Sequence, residues 1–292
     1  MKAIINAKKA SVIFSISILI ILCAACATTQ PQADDVAPDA FQREEARRLH
    51  EEGVRFNMEQ KYDKAIASFA QAIQVYPSFQ RAYNSRGITY FHIGRHLKAI
   101  QDFNYAISLG SQDIEEYVLG YFLRGTVFSA LGEYEKAVED FSLALRLVPF
   151  LPMAHHGRAV AFYHLGNLRD AIIDANLAVT FEPQNYRHFY SRGRIFYGMG
   201  FLNLALEDFR SSLRLNQSNA LAAVNAGTIL KELGQYESSL ELFDLAISID
   251  PDLSLAYFRR AVLFIRLGES TIDMDRRNEY FQKAEADFER SL

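Results

Sequence analysis

From Phe41 onward, apolar residues recur at three- and four-residue intervals rather than in alternation, which predicts helices and no strands. One pattern returns seven times within this helical stretch. The small residues Gly53, Gly87, Gly125, Ala159, Gly193, Gly227 and Ala261 are separated by 34, 38, 34, 34, 34 and 34 residues. Three residues after each stands Phe56, Tyr90, Phe128, Phe162, Phe196, Leu230 or Phe264. A second small position follows at Ala65, Ala99, Ala137, Ala171, Ala205, Ser239 and Ala284, and then Phe69, Phe103, Phe141, Ala175, Phe209, Phe243 and Phe288. Four units close on a proline, at Pro77, Pro149, Pro183 and Pro251.

Each position has a physical reason. A mid-helix glycine costs about 1 kcal/mol against alanine, so its return marks a place where two helices cross too closely for a side chain. The aromatic positions share the faces that meet there. Gly94, Gly132, Gly166, Gly200, Gly234 and Gly268 stand seven residues after the crossing residue, where a left-handed cap is predicted to end the first helix of a pair. The prolines end the second helix. The pairs divide the chain into 46–79, 80–113, 118–151, 152–185, 186–219, 220–253 and 254–292. Ile114 to Tyr117 is inserted between the second and third units, and the polar stretch Glu269–Asn278 is predicted to be a solvated loop inside the seventh.

This pattern resembles the tetratricopeptide repeat, a helix-turn-helix unit of about 34 residues. The resemblance covers residues 41–292 and implies an all-α fold, a right-handed α-solenoid of about seven units. Repeats of this kind bury their core between neighbours, so a single elongated unit is expected.

That preceding segment has its own pattern. Lys2, Lys8 and Lys9 come before an apolar run from Ser11 to Ala25, followed by Thr28, Thr29 and Gln30. Residues 1–25 therefore read as an export signal, too short for the roughly 20-residue span of a membrane-crossing helix. Cys23-Ala24-Ala25-Cys26 resembles a bacterial lipoprotein box, which implies cleavage before Cys26 and its lipidation. The family places leucine where Cys23 stands, and Ala25-Cys26-Ala27 also fits the small-x-small site of ordinary signal peptidase. Lipid anchoring, soluble export and an uncleaved anchor therefore stay open, with lipidation favoured; all three export the chain. Ala27, rather than the acidic residue that the lipoprotein family uses for retention, implies the outer membrane in an organism that has one. Residues 26–40, with Pro31, Asp34, Asp35 and Pro38 among polar residues, read as the attachment site and a flexible tether.

Composition narrows the chemistry. A formal net charge of −4, with no Lys/Arg block after residue 10, argues against nucleic acid as a partner. No cysteine follows Cys26, so the mature chain has no thiolate nucleophile or disulfide framework. No phosphate loop, His-Glu-x-x-His or Gly-x-Ser-x-Gly occurs, and neither an enzyme activity nor a cofactor nor a metal is expected. His92 and His96 have the four-residue spacing of a helical metal pair, but Gly94 between them should end the helix. Arg86, Arg124, Arg158 and Arg192 each precede an aspartate (Asp102, Asp140, Asp174, Asp208) by 16 residues. Four matched pairs at one spacing favour structural ion pairs over a basic rail for acidic ligands.

The repeat resemblance also implies which residues face a partner. In that family the first helices line a concave groove through positions two, five, nine, twelve and thirteen. Here these include Arg81, Asn84, Phe91 and His92, then Phe122 and Thr126, then His156, Tyr163 and His164, and finally Arg187, Tyr190, Arg194 and Tyr197. Aromatic rings with His and Arg between them suit a peptide or protein segment. Ile88, Thr126 and Val160 at position nine do not match the family's clamp for chaperone tails. The expectation is a non-enzymatic adaptor of the bacterial cell envelope, monomer favoured. The alternatives are a homo-oligomer whose groove a sister chain fills and, less strongly, a small-ligand binder associated with transport.

Overall fold

A computed structural model describes residues 38–110 and 114–292. The export signal of residues 1–25, Cys26 and most of the tether lie outside the described residues. Fourteen helices are present among the described residues: α1 (Pro38–Met58), α2 (Tyr62–Val75), α3 (Gln80–His92), α4 (His96–Ser108), α5 (Ile114–Leu131), α6 (Tyr134–Leu147), α7 (Pro152–His164), α8 (Leu168–Phe181), α9 (Tyr186–Gly198), α10 (Leu202–Leu215), α11 (Ala220–Glu232), α12 (Tyr236–Ile249), α13 (Ser254–Ser270) and α14 (Met274–Ser291). They form seven antiparallel hairpins, odd-numbered helix first. Two compact units result, one ending at Phe150 with three hairpins and one of four hairpins over Leu151–Leu292. No helix among the described residues is long and apolar enough to cross a membrane.

In five of the seven hairpins the crossing is made by a glycine on the first helix and a phenylalanine 16 residues later on the second. A methyl group added at Gly53 would stand 2.5 Å from the ring of Phe69, and one at Gly87 would stand 2.6 Å from that of Phe103. Gly125, Gly193 and Gly227 meet Phe141, Phe209 and Phe243 in the same way. These five rings are among the largest fully buried side chains. The fourth hairpin inverts the device: Ala159 replaces the glycine, Ala175 replaces the ring, and both are buried. The methyl group of Ala159 thus faces no ring, because the second-helix position is also alanine.

The hairpin turns depend on left-handed backbone. Gly94, Gly132, Gly166, Gly200 and Gly234 have φ between 75° and 81°. In the first hairpin Gln60 takes the same place at φ 58°, the one non-glycine residue with positive φ among those described. Gly268 departs from the expectation: it lies inside α13, buried, where an added methyl would stand 2.8 Å from the Phe281 ring. The predicted loop over 269–278 is correspondingly short, because α13 continues to Ser270 and α14 starts at Met274. The additional residues lengthen both helices of the seventh hairpin, and Gly268 gives them a second close approach. Asp273 caps α14 by accepting from the backbone N–H of Asp275 and Arg276. The insertion at 114–117 is also helical and adds a first turn to α5. Helix α1 likewise begins earlier than expected, at Pro38.

Polar pairs run beside the apolar crossings. Arg86–Asp102, Arg124–Asp140, Arg158–Asp174 and Arg192–Asp208 are bidentate, with N···O distances between 2.6 and 2.9 Å. They are structural pairs between the two helices of a hairpin, as the fixed spacing implied. The seventh hairpin keeps the device across its longer connection as Arg260–Asp287, both contacts 2.7 Å. Three of these arginines also reach back to the preceding hairpin, Arg124 to Asn104, Arg192 to Asn176 and Arg260 to Asp244. Burial pushes the carboxyls of Asp102, Asp140 and Asp208 up despite their arginines. At Asp174 burial is outweighed by hydrogen bonds from His155 and Arg158, and the carboxyl falls below its usual range.

The crossing yields a test. Gly87→Ala should destabilise the protein by about 1–3 kcal/mol through overpacking against Phe103. In a Phe103→Ala background the same change should cost nothing or recover up to about 1 kcal/mol, because the added methyl enters a cavity and alanine favours the helix. Urea denaturation of the four proteins of this cycle measures the coupling.

Candidate functional site

The groove residues expected from sequence separate into three groups. Phe91 and Phe122 are buried, Phe91 against the His96 ring at 5.4 Å and Phe122 against Phe141 at 5.9 Å. Both belong to the packing between helices and offer a partner little surface, which corrects their assignment to an open groove. The reason is the proximity of the apolar stripe to the groove positions: a large ring one residue from the core face turns inward. His92 ends α3 with its ring on the edge of Tyr62 at 6.3 Å, and its buried Nε2 has no hydrogen-bond partner. Burial lowers its pKa. His96 begins the next helix beyond Gly94, so the two histidines do not share a helix face.

His156 is engaged internally. Its Nδ1 lies 3.1 Å from Nδ1 of the buried His188, whose Nε2 is 2.9 Å from a carboxylate oxygen of Glu182. One of the two Nδ1 atoms must donate and the other accept, so the pair cannot both be doubly protonated. Burial, followed by the charges of His188 and Arg187, pushes His156 down to about 3. The hydrogen bond from His188 holds Glu182 below the usual carboxylate range.

The third group is brought together. Tyr163 of α7 and Tyr190, Arg194 and Tyr197 of α9 gather on one face of the second unit, with α11 alongside. The Arg194 guanidinium lies 4.8 Å over the Tyr163 ring, and His164, exposed, meets the same ring edge-on at 5.5 Å. Tyr197 donates to Glu232 of α11 at 2.6 Å, and that hydrogen bond pushes its phenol up to about 12. Asn225 of α11 donates to the Tyr190 hydroxyl at 3.3 Å, while the Tyr190 ring leans on Phe209 at 5.8 Å. Tyr163 and Tyr197 therefore present ring surface, and Tyr190 supports them from the core. Chemically the arrangement offers aromatic area, one cation and one carboxylate, the means to hold a chain segment. Among the described residues no group of three His, Cys, Asp or Glu side chains could hold a metal.

Sequence reasoning missed two contributors. Glu232 and Asn225 come from α11, a helix whose groove positions were not singled out; they stand 35 residues after their partners Tyr197 and Tyr190. One repeat length plus one is a spacing that links adjacent first helices and could have exposed both. The same spacing joins His50 to Ser85 and Arg81 to Glu116 in the first unit.

His50 provides a pH test. It is buried, within 2.8 Å of the Ser85 hydroxyl, and burial together with the Arg81 charge pushes it down to about 4 from an ordinary 6.5. The folded chain therefore favours neutral His50. Its contribution is fully present above pH 6.5 and is lost as pH falls, because the unfolded chain takes up the proton first. Stability should drop by up to about 3 kcal/mol between pH 6.5 and 4 from this group. His50→Gln should remove that part of the slope, read from urea midpoints across the range.

Comparison with known proteins agrees with this geometry. No curated protein matches the chain. Among solved structures, a tetratricopeptide repeat protein from Parabacteroides merdae is 15% identical, with a TM-score of 0.63 over 85% of this chain and 99% of that one. PilF of Pseudomonas aeruginosa is 19% identical, with a TM-score of 0.59 over 72% and 95%. YrrB, described as having an unusual peptide-binding site, is 23% identical, with a TM-score of 0.51 over 64% and 95%. These likenesses establish the fold. The sequence profile of the tetratricopeptide repeat matches residues 59–114, 122–186 and 190–254, more than half of the chain, and this chain of helical hairpins belongs to the tetratricopeptide repeat family.

Proposed function

We propose that this protein is a non-enzymatic adaptor that holds a segment of a partner protein against the first-helix face of its second unit. Tetratricopeptide repeat proteins mediate protein–protein interaction. The observation that carries the reading for this chain is the cluster of Tyr163, Arg194 and Tyr197, which gathers ring surface and charge on adjacent first helices. Tyrosine gives large contact area at a low cost in side-chain entropy. A photo-crosslinking residue placed at His164 should capture one predominant partner in cells. Replacing Tyr163, Tyr190 and Tyr197 together by Ala should weaken that partner's binding at least tenfold, with melting used to separate any loss of fold. Undiminished capture by a folded triple variant would place the partner elsewhere.

The site of action is part of the proposal. The Lys2–Lys9 start, the apolar run to Ala25 and Cys26 support export and lipid attachment at a bacterial envelope membrane. An acidic body is not drawn to an anionic membrane by charge, so the lipid would anchor it. Cys26→Ser should leave the protein unprocessed or release it from the membrane fraction, whereas Cys23→Ser should leave it membrane-bound. Fractionation followed by intact-mass measurement reads both. A membrane-bound Cys26→Ser protein of mature size would refute lipidation.

A further inference from the structure

The half-buried arginines of the second unit's hairpin crossings all have carboxylates: Arg158 has Asp174, Arg192 has Asp208 and Arg260 has Asp287. Arg194 has none. Its guanidinium is half-buried over Tyr163, yet among the described residues no hydrogen bond or ion pair engages it. Glu232, the carboxylate this face offers, accepts from Tyr197 instead, and the Tyr190 hydroxyl accepts from Asn225. Arg259 of α13 adds a second positive charge that acts on the Tyr197 phenol. A planar fork of five N–H donors thus lies half-buried over a ring, with the Glu232 carboxylate and the Tyr190 hydroxyl already engaged.

The first unit shows how this chain completes such a cation. There Arg81, at a first-helix position of α3, donates to Glu116 at 2.6 Å, and Asn84 donates to the other carboxylate oxygen at 2.9 Å. Glu116 is only 4% exposed and comes from the additional first turn that the 114–117 insertion gives α5. The insertion therefore brings an internal carboxylate onto the first-helix face beside Arg81, the second residue of its unit, whereas Arg194, the ninth of its own, has none.

We propose that Arg194 is an anion subsite that receives an aspartate or glutamate side chain of an acidic partner segment, in the role that Glu116 fills internally for Arg81. This deepens the adaptor reading and rests on it. Tyr163 preorganises the guanidinium by stacking, so little orientation is lost when two parallel N–H···O bonds form. Side chains flanking the acid would lie on Tyr163 and Tyr197. The partner is a polypeptide with acidic residues set among apolar ones.

The test uses the full-length protein and fluorescence anisotropy. The probe is a fluorescein-labelled, C-terminally amidated peptide alternating phenylalanine and glutamate; its twin carries glutamine in place of glutamate. A third peptide is the glutamine twin with a free C-terminal carboxylate. The acidic peptide should bind at least tenfold more tightly than its twin at low salt, with the advantage shrinking as salt rises. Arg194→Gln should abolish the advantage, and Arg194→Lys, which keeps charge but loses the fork, should keep part of it. Arg210→Gln, at an exposed position of α10, should leave it intact. Melting curves confirm that each variant is folded, and the lysine variant retains the test if the glutamine variant is not. An acidic preference that survives Arg194→Gln, or equal binding of the acidic peptide and its twin, overturns the subsite. If both peptides bind equally and the triple tyrosine variant loses both, the groove reading stands without it. Tighter binding of the free-carboxylate twin than of the amidated acidic peptide would replace a side chain by a chain terminus and overturn the assignment. Binding of neither peptide up to millimolar concentration also counts against the subsite, while cellular crosslinking at His164 judges the groove separately.

Discussion

The close crossing of two helices within each hairpin sets the geometry on which everything else depends. Where Gly53 or Gly87 faces Phe69 or Phe103, no room exists for even a methyl group. A buried ring against bare helix backbone gives dense contact without polar groups to satisfy, and density of this kind makes interiors intolerant of small changes in volume. The fourth hairpin replaces both partners, with Ala159 and Ala175 buried at the two positions.

The Arg–Asp pairs add what the apolar crossing lacks, which is direction. A ring against a glycine tolerates some rotation, whereas a bidentate guanidinium–carboxylate pair fixes both helices about their axes. Partly buried ion pairs of this sort contribute modestly to stability because desolvation offsets attraction. Asp102, Asp140 and Asp208 show that offset in their raised pKa values. In the seventh hairpin the pair survives as Arg260–Asp287 although the helices are longer, so the constraint follows the geometry and not the sequence interval.

Much of this was legible in the sequence because it recurs. Seven copies of a small residue, six of them followed by an aromatic three positions on and one by Leu230, gave hairpin number and order, and four copies of Arg–Asp gave the polar pairing. What escaped was whatever occurs once. Gly268 sits in the register of a turn glycine, and only the added length of α13 and α14 turns it into a second crossing. Phe91 and Phe122 occupy groove positions by count, but their rings are drawn into the core, since a ring gains more from burial than from exposure. Periodicity separates Arg192, one of the recurring Arg–Asp pairs, from Arg194 at a groove position, but does not show that the Arg194 guanidinium lies over Tyr163. Two residues apart on one helix, they point to different faces, and only one meets an aspartate.

The division of labour among these contacts bears on how such a chain can be rearranged over evolutionary time. The Gly–Phe crossing closes within one hairpin, as does the bidentate Arg–Asp pair. By contrast, the third contact of Arg124, Arg192 and Arg260 reaches a residue of the hairpin before: Asn104, Asn176 or Asp244. A whole hairpin duplicated or transplanted would carry its own spacing and orientation along and would have to remake only its contacts with neighbours, such as this backward bond and the links of Tyr197 to Glu232 and Tyr190 to Asn225. A recombination point between the helices of a hairpin would instead separate a glycine from its ring, or set a ring against an alanine. Breakpoints in such a family should accordingly fall in the connections after the second helices, where Pro77, Pro149, Pro183 and Pro251 stand.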